Sequence, residues 1–412
     1  MRTHIPLAEA QETVAAAVAA LRRGQADRSE EIGLLEATER VLAEEVLADR
    51  DQPPFNRAAM DGYAVRAADC SGERARLRVV GEVAAGAQRD EALEAGCAVA
   101  IMTGAPVPEG ADAVQMIEKC RAVGADTVEV DGPVRSGQHI AARGEDVRAG
   151  DVVARAGDPV RGLLAGALAS VGAGRVRVVR QPTVAIIGTG DELVDVDCAP
   201  GPAEIRDSNR YTLEALAREG AARVILSERV RDEPEALAAA IARGLAADVL
   251  VLSGGVSAGR YDLVVDALAR AGVSLAFHKV AIKPGKPVVF GTHAGGLVFG
   301  LPGNPVSTFV VGALVLLPAL RALGGVAAPW PWRLSARLTA PLEATTERDT
   351  FHPGRLAPAA DGTLEVTPVG WNGSGDQVGF ARGGCFIRRE ARSGAALVGE
   401  SVEVVLSRGG LG

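Results

Sequence analysis

Lysine is scarce in this chain, and three lysines stand together. The sequence holds 44 lysines and arginines, only four of them lysines, and Lys279, Lys283 and Lys286 fall within eight positions, in HKVAIKPGKP. A lysine ammonium is a compact point charge with rotatable donors, where arginine presents a planar fork. A sequence that elsewhere uses arginine and here keeps lysine points to a bound anion. Pro284 and Pro287 fix φ and remove backbone donors, so the side chains must supply the cation. Converging ammonium groups repel each other unless an anion lies between them.

Three further loops share the character of this one. They are Gly188-Thr189-Gly190-Asp191-Glu192, Ser253-Gly254-Gly255-Val256-Ser257-Ala258-Gly259 and Leu301-Pro302-Gly303-Asn304-Pro305-Val306-Ser307. Glycine lets backbone approach a ligand closely, and exposed N–H groups in such turns form anion nests. Neither GxGxxG nor GxxxxGK[ST] occurs, which argues against a dinucleotide fingerprint or a P-loop. Acids lie in loops as well: Asp61 in MDGYAV, Asp146 in RGEDV, Glu192 in GDEL, Asp232 in RVRDEP and Asp262 in GRYDLV. Acids beside a phosphate site often hold Mg²⁺, so the set points to phosphoryl or nucleotidyl chemistry with a divalent metal. Thr103, in IMTGAP, adds a hydroxyl in a turn.

The elements that must position these loops follow from periodicity. Apolar residues at helical spacing predict a helix in LAEAQETVAAAVAALRR, ended by Gly24, and a second in LLEATERVLAEEVLA. From 55 to 180, short Val-rich runs between Gly, Pro and Asp turns predict a mostly β region, interrupted by a helix in GLLAGALASVG. From Pro182, strands alternate with helices, which predicts a parallel α/β sheet with the four loops at the carboxyl ends of its strands. Asp207 and Ser208 are candidate caps for a helix over YTLEALAREG, and the apolar run Phe309–Leu320 reads as a buried core helix. Pro329-Trp330-Pro331-Trp332 reads as a linker to a small β domain.

Composition sets the outer limits. The 412 residues imply two to four domains; 48% hydrophobic and 23% charged residues are ordinary for a globular protein, and a net charge of −8 argues against nucleic acid or anionic membrane as partners. The N-terminal stretch has no apolar core of a secretory signal, and five scattered cysteines form no CxxC. The expected compartment is a reducing cytoplasm.

The motifs PPFNRAAMDGYAV, IMTGAPVPEGADAVQMIE, GDELV, EIRDSN, SGGVSAG, KPGKP and LPGNPVSTF occur in the order found in molybdopterin molybdenumtransferases. The chain resembles this family, MoeA, which is related to the gephyrin E domain. The resemblance implies a multidomain α/β fold: domain I from 1–51 and 148–181, a mostly β domain II from 52–147, a MoaB/Mog-like domain III from 182–328 and a small barrel-like β domain IV from 329–412. It also implies an activity, insertion of molybdenum from molybdate into adenylylated molybdopterin, with Mg²⁺-assisted cleavage releasing AMP.

Residue roles carry over by motif. Asp61, Asp146, Asp232 and Asp262 would be catalytic, with Glu192, Asp232 and Asp262 holding Mg²⁺. Thr103, Lys279, Lys283, Ser253, Gly254, Gly255, Pro302 and Pro305 would bind the pterin nucleotide. Lys286, Pro287, Ser307, Arg348 and Ser374 would bind molybdate. The resemblance further implies a homodimer sharing its sites between subunits, and contacts with the adenylyltransferase and with apo-molybdoenzymes. Two alternatives stay open: a MoaB-like adenylyltransferase acting on molybdopterin with ATP, and a non-catalytic scaffold of the gephyrin E type.

Overall fold

The computed structural model describes residues 1–24, 28–255 and 263–406. The chain forms two compact units, one of Met1–Ile32, Glu39–Ala43 and Arg177–Gly412, the other of Gly33–Thr38 and Glu44–Val176.

The larger unit is built on a seven-stranded sheet in the spatial order Arg2–Ile5, Ser274–Val280, Val289–His293, Gly296–Leu301, Val249–Ser253, Thr183–Thr189, Arg223–Val230. Six strands run in one direction. Val289–His293 runs against both of its neighbours, so the expected parallel sheet is a mixed one. The hairpin joining Val289–His293 to Gly296–Leu301 needs only a short turn, which is why a helix is absent from the sequence there. Thr183–Thr189 and Val249–Ser253 are buried at every residue, as a central strand covered on both faces requires.

One covering face is the helix Leu7–Gly24, whose Leu7, Ala10, Val14 and Val18 point into the core at helical spacing. The apolar segment expected as a core helix runs from Pro305 to Leu323 and is 83% buried. It is not regular: Gly312–Leu316 forms a π turn, with the Leu317 N–H bonded to the Gly312 carbonyl. Pro318 has no N–H to give, and its ring would strike the Leu314 carbonyl in an unbroken α-helix. The wider turn relieves that clash.

Beyond the linker, five strands close on themselves: Asp349–Pro358, Leu364–Pro368, Arg333–Leu338, Ser401–Leu406 and Cys385–Arg389, the last pairing back to the first. This is the small barrel expected from the sequence. A sixth strand, Ile282–Lys283, joins its edge in parallel, with Lys283 opposite Thr350.

The smaller unit holds a six-stranded sheet ordered Ala113–Met116, Gly62–Val65, Cys97–Ile101, Arg74–Val83, Thr127–Asp131, Cys120–Ala122. Val65, Val99, Val114, Val128 and Val130 are fully buried within it. Gly62, beside Asp61, is required by close approach: a Cβ there would sit 1.9 Å from the Gln115 carbonyl oxygen.

The expected second helix, over Leu34–Ala48, is absent. Residues 34–39 form turns, Val46–Leu47 is a short strand, and Glu39 takes φ +63°. Alternating Leu, Ala and Glu satisfied a helical template, but Leu35 is 86% exposed and finds no core to pack against. Leu34, Ala37, Val41, Leu42 and Ala48 are buried, but the backbone here turns at Glu39 and gives its hydrogen bonds to Arg177 and to the strand Val152–Ala154 instead of to a helix.

Candidate functional site

The carboxyl ends of the central strands and the rim of the barrel enclose a cavity of about 900 Å³ within the larger unit. Strand direction explains its position. Thr183–Thr189, Arg223–Val230, Val249–Ser253 and Gly296–Leu301 all end at one edge, and the loops beginning at Gly190, Asp232, Gly254 and Pro302 follow directly. The cavity gathers Glu192, Asp232, Ser253, Gly254, Gly255, Lys283, Lys286, Pro287, Pro302, Pro305, Ser307, Arg348 and Ser374.

Two walls of different chemistry face the cavity. The acidic one holds Glu192 and Asp232, and the Thr189 hydroxyl donates to the Asp232 carboxylate. The cationic one comes from both the lysine segment and the barrel. Because Ile282–Lys283 pairs with Asp349–Pro358, Lys283 is brought beside Thr350. Side chains along a strand alternate, and Arg348, Thr350 and His352 all line the cavity while Phe351 between them is fully buried in the core. The Arg348 guanidinium donates to the Ile282 carbonyl at 3.4 Å. The Val306 N–H donates to the Ser374 carbonyl at 3.1 Å, which ties the barrel's loop to the start of the long helix.

The imidazole of His352 is held below its usual value by burial, then by Lys283 and Arg389, with Glu343 opposing. The unfolded chain therefore takes up a proton first as pH falls. The neutral imidazole is no burden above the ordinary histidine value of about 6.5, and stability is lost as pH drops from there toward the depressed folded value. His352→Gln is expected to flatten the loss of stability between pH 7.5 and 5, read as urea midpoints at each pH. Equal slopes for the two proteins would show that His352 is not the group responsible.

Lys279 lies off the cavity lining. It is half-buried, takes φ +71°, and its N–H donates to the Val288 carbonyl at 2.8 Å. Asp262 lies outside the described residues. Asp61, Thr103 and Asp146 belong to the smaller unit. There, Asp61 and Thr103 meet: the Thr103 N–H and hydroxyl donate to one Asp61 oxygen at 2.6 and 2.8 Å. The backbone bond first and the hydroxyl second hold the Asp61 carboxyl below its ordinary range, against a small opposing effect of burial. Thr103→Val should raise the Asp61 midpoint partway, since the backbone bond survives, as a carboxyl-detected NMR titration would show. An unmoved midpoint would mean the hydroxyl contributes nothing. Asp146 is exposed, and its N–H donates to the Gln52 carbonyl at 2.9 Å.

Several lining residues were not anticipated as site residues: Asp207, Asn209, Thr350, His352 and Trp371. The motif EIRDSN contains two of them, and the sequence marks its Asp207 only as a helix cap. Nothing local marks Thr350 or His352, which reach the cavity through the strand pairing of Lys283.

Three family models match the chain: the MoeA N-terminal region (domains I and II) over residues 5–172, a probable molybdopterin binding domain over residues 185–322, and the MoeA C-terminal region (domain IV) over residues 335–407. A molybdopterin molybdenumtransferase of Haemophilus influenzae is 37% identical over 380 residues, covering 92% of this chain and 93% of its own. One from a Nostoc species is 36% identical over 364 residues, covering 86% of this chain and 83% of its own. The crystal structure of a molybdopterin biosynthesis MoeA protein from Pyrococcus horikosii is similar, with a TM-score of 0.80 at 31% identity over 99% of this chain and 100% of that one. Fold and relatives together define a transferase of molybdenum cofactor biosynthesis, built around a molybdopterin-binding type of α/β domain. The chain belongs to the molybdopterin molybdenumtransferase (MoeA) family.

Proposed function

We propose that the cavity transfers molybdenum from molybdate to molybdopterin presented in its adenylylated form, with release of AMP. One observation carries this reading: a single cavity has a cationic, hydroxyl-bearing wall at Lys283, Lys286, Ser307, Arg348 and Ser374 and an acidic wall at Glu192 and Asp232. A tetrahedral dianion needs cations and hydroxyls around it, and a phosphoanhydride needs its charge neutralised before attack. In this reading Lys283 serves the nucleotide phosphates from the cavity wall, and Lys279, off that lining, is assigned to them by motif alone. Lys286, Pro287, Ser307, Arg348 and Ser374 receive molybdate, and Ser253, Gly254, Gly255, Pro302 and Pro305 shape the pterin nucleotide's seat.

The donor set suits Mg²⁺. Among the described residues no group of three or more His, Cys, Asp or Glu side chains is placed to hold a metal. Mg²⁺, however, is commonly bound by one or two carboxylates together with substrate phosphates. Glu192 and Asp232, with Asp262 assigned by motif, would hold it. When bound, it would neutralise phosphate oxygens. The chain's own groups position the rest: lysine ammoniums hold the leaving adenylyl phosphate, and the carboxylates orient the attacking oxygen. Asp61, Thr103 and Asp146 are assigned to the same chemistry in a homodimer, each site completed by the partner subunit. The division into domains I to IV given above and a cytoplasmic location belong to the same proposal.

The test is to incubate the protein with adenylylated molybdopterin and Mg²⁺, add molybdate and measure AMP. Molybdate-dependent AMP release is expected. Its absence would overturn the reading, and adenylylation of molybdopterin from ATP would favour an adenylyltransferase instead.

A further inference from the structure

His352 stands in the cationic wall with a ring that no other part of the chain engages. It lies half-buried at the cavity, and no described residue hydrogen-bonds to either ring nitrogen. Strand pairing fixes its company. Lys283, Thr350 and Arg389 stand opposite one another across three neighbouring strands, so their side chains share one face. His352, two residues beyond Thr350, shares that face. Arg389 is its diagonal neighbour, about 7–8 Å away by the geometry of paired strands. Arg348 lies two residues before Thr350 and lines the same cavity.

These cations carry no counter-charge. Among the described residues, Lys283, Lys286, Arg348 and Arg389 form no ion pair with a carboxylate. The adjacent Arg388, on the outer face, by contrast pairs with Asp349 at 2.8 Å and Glu403 at 3.1 Å. Arg389 is 8% exposed, donates from Nη2 to the Gly394 carbonyl and leaves Nη1 buried without an acceptor. Burial first, then the charges of Lys283 and Arg389, hold a proton off the His352 ring, and Glu343 opposes them. The carboxylates of Glu192 and Asp232 belong to the other wall of the cavity. A dianion entering among the cations cancels the field that keeps the ring neutral and offers its N–H groups an acceptor. The imidazole then becomes the group most easily charged.

Resting on the reading of this wall as a seat for oxyanions, we propose that His352 belongs to that seat and that the cavity admits a doubly charged tetrahedral oxyanion together with one proton, which the His352 imidazole carries. The imidazolium donates to an oxyanion oxygen and becomes one more cation of the wall. It is a binding residue and breaks no bond. In the free protein the ring titrates below about 6.5, and in the complex it titrates above that free value. Affinity for the dianion is fully gained below the free value and is lost as pH rises through the bound one, by up to about tenfold for each pH unit between them. Two oxyanions of the proposed reaction have this chemistry, molybdate and the phosphate of AMP.

Molybdate and AMP would each be titrated calorimetrically into the full chain between about pH 6 and 8, in paired buffers of different ionisation enthalpy, for wild type and His352→Gln. Glutamine keeps a neutral donor at this position and cannot titrate. With molybdate, wild type should take up more protons than the variant, by up to about one, and should lose affinity more steeply as pH rises, about fivefold or more across the range. The same excess with AMP and not with molybdate would place His352 at the nucleotide phosphate and uphold the proton-coupled seat there. Equal uptake and parallel pH profiles for the two proteins with both anions would overturn the proposal. Histidine NMR gives a second readout, since His352 is the ring signal missing from the variant, and its midpoint should rise when the anion is added. If no histidine midpoint of the wild type rises with either anion, the proposal falls whether or not the variant folds. Molybdate-dependent AMP release tests the activity separately: turnover without the excess uptake sinks this inference alone, and proton-coupled binding without turnover sinks only the activity.

Discussion

Lys283→Arg is expected to lower molybdate-dependent AMP release about a hundredfold, the scale seen when one charge-stabilising donor is removed from an active site. Formal charge is unchanged, so a loss of this size would come from geometry. Lys283 is exposed at the cavity rim, in the two-residue strand that pairs with the barrel. An ammonium can aim three donors from a slender stem, whereas a guanidinium is broad and planar. His352, already pressed by the Lys283 charge, would meet a larger cation on the same wall. Thermal stability should stay near wild type, since an exposed side chain contributes little. Unchanged turnover would refute the idea that lysine is kept here for its shape.

Gly254→Ala should damage both fold and site. Gly254 takes φ +99°, and a Cβ would lie 2.2 Å from the Thr189 carbonyl oxygen. The obstacle is backbone of the adjacent central strand, which cannot swing aside as a side chain would. Strain of the left-handed conformation and overpacking together predict a loss of about 2–5 kcal/mol, measurable as a shift of the urea midpoint. If the strand yields, Thr189 moves with it, and so does the hydroxyl that donates to Asp232. A variant as stable as wild type with full activity would show that the loop has room the geometry denies.

Much of the site was legible because its residues are unusual where they stand. Lysines are rare in this chain, and prolines follow two of them, so KPGKP points to an anion from sequence alone. The alternation of buried strands with helices after Pro182 marked the sheet, and parallel strand ends dictated where the loops would gather. The antiparallel strand Val289–His293 was not anticipated, because a buried strand carries no mark of its direction. The segment Leu34–Ala48 has the period of a helix and buries Leu34, Ala37, Val41 and Leu42, yet its backbone pairs with other strands instead, which periodicity does not reveal. Asp207 and Asn209 were hidden for another reason. An aspartate ahead of a helix is ordinarily a cap, and one oxygen of Asp207 does that work. Only the fold shows that both residues also line the cavity. Thr350 and His352 needed knowledge of which strand lies beside Lys283, a pairing some 67 residues apart in sequence.

The pairing of Ile282–Lys283 with the barrel bears on how this protein was assembled and on how it can be divided. The lysine segment leaves the central sheet and is stitched into the edge of a domain that begins only after the tryptophan-containing linker. A fragment cut at that linker would keep the lysines but lose the strand that aligns them, along with Arg348 and Ser374. The barrel by itself would expose an unpaired edge where Ile282–Lys283 had been. Neither piece can be exchanged for a counterpart from another lineage unless the facing edge is exchanged with it. The two domains are thus bound to a common inheritance by two residues of shared strand.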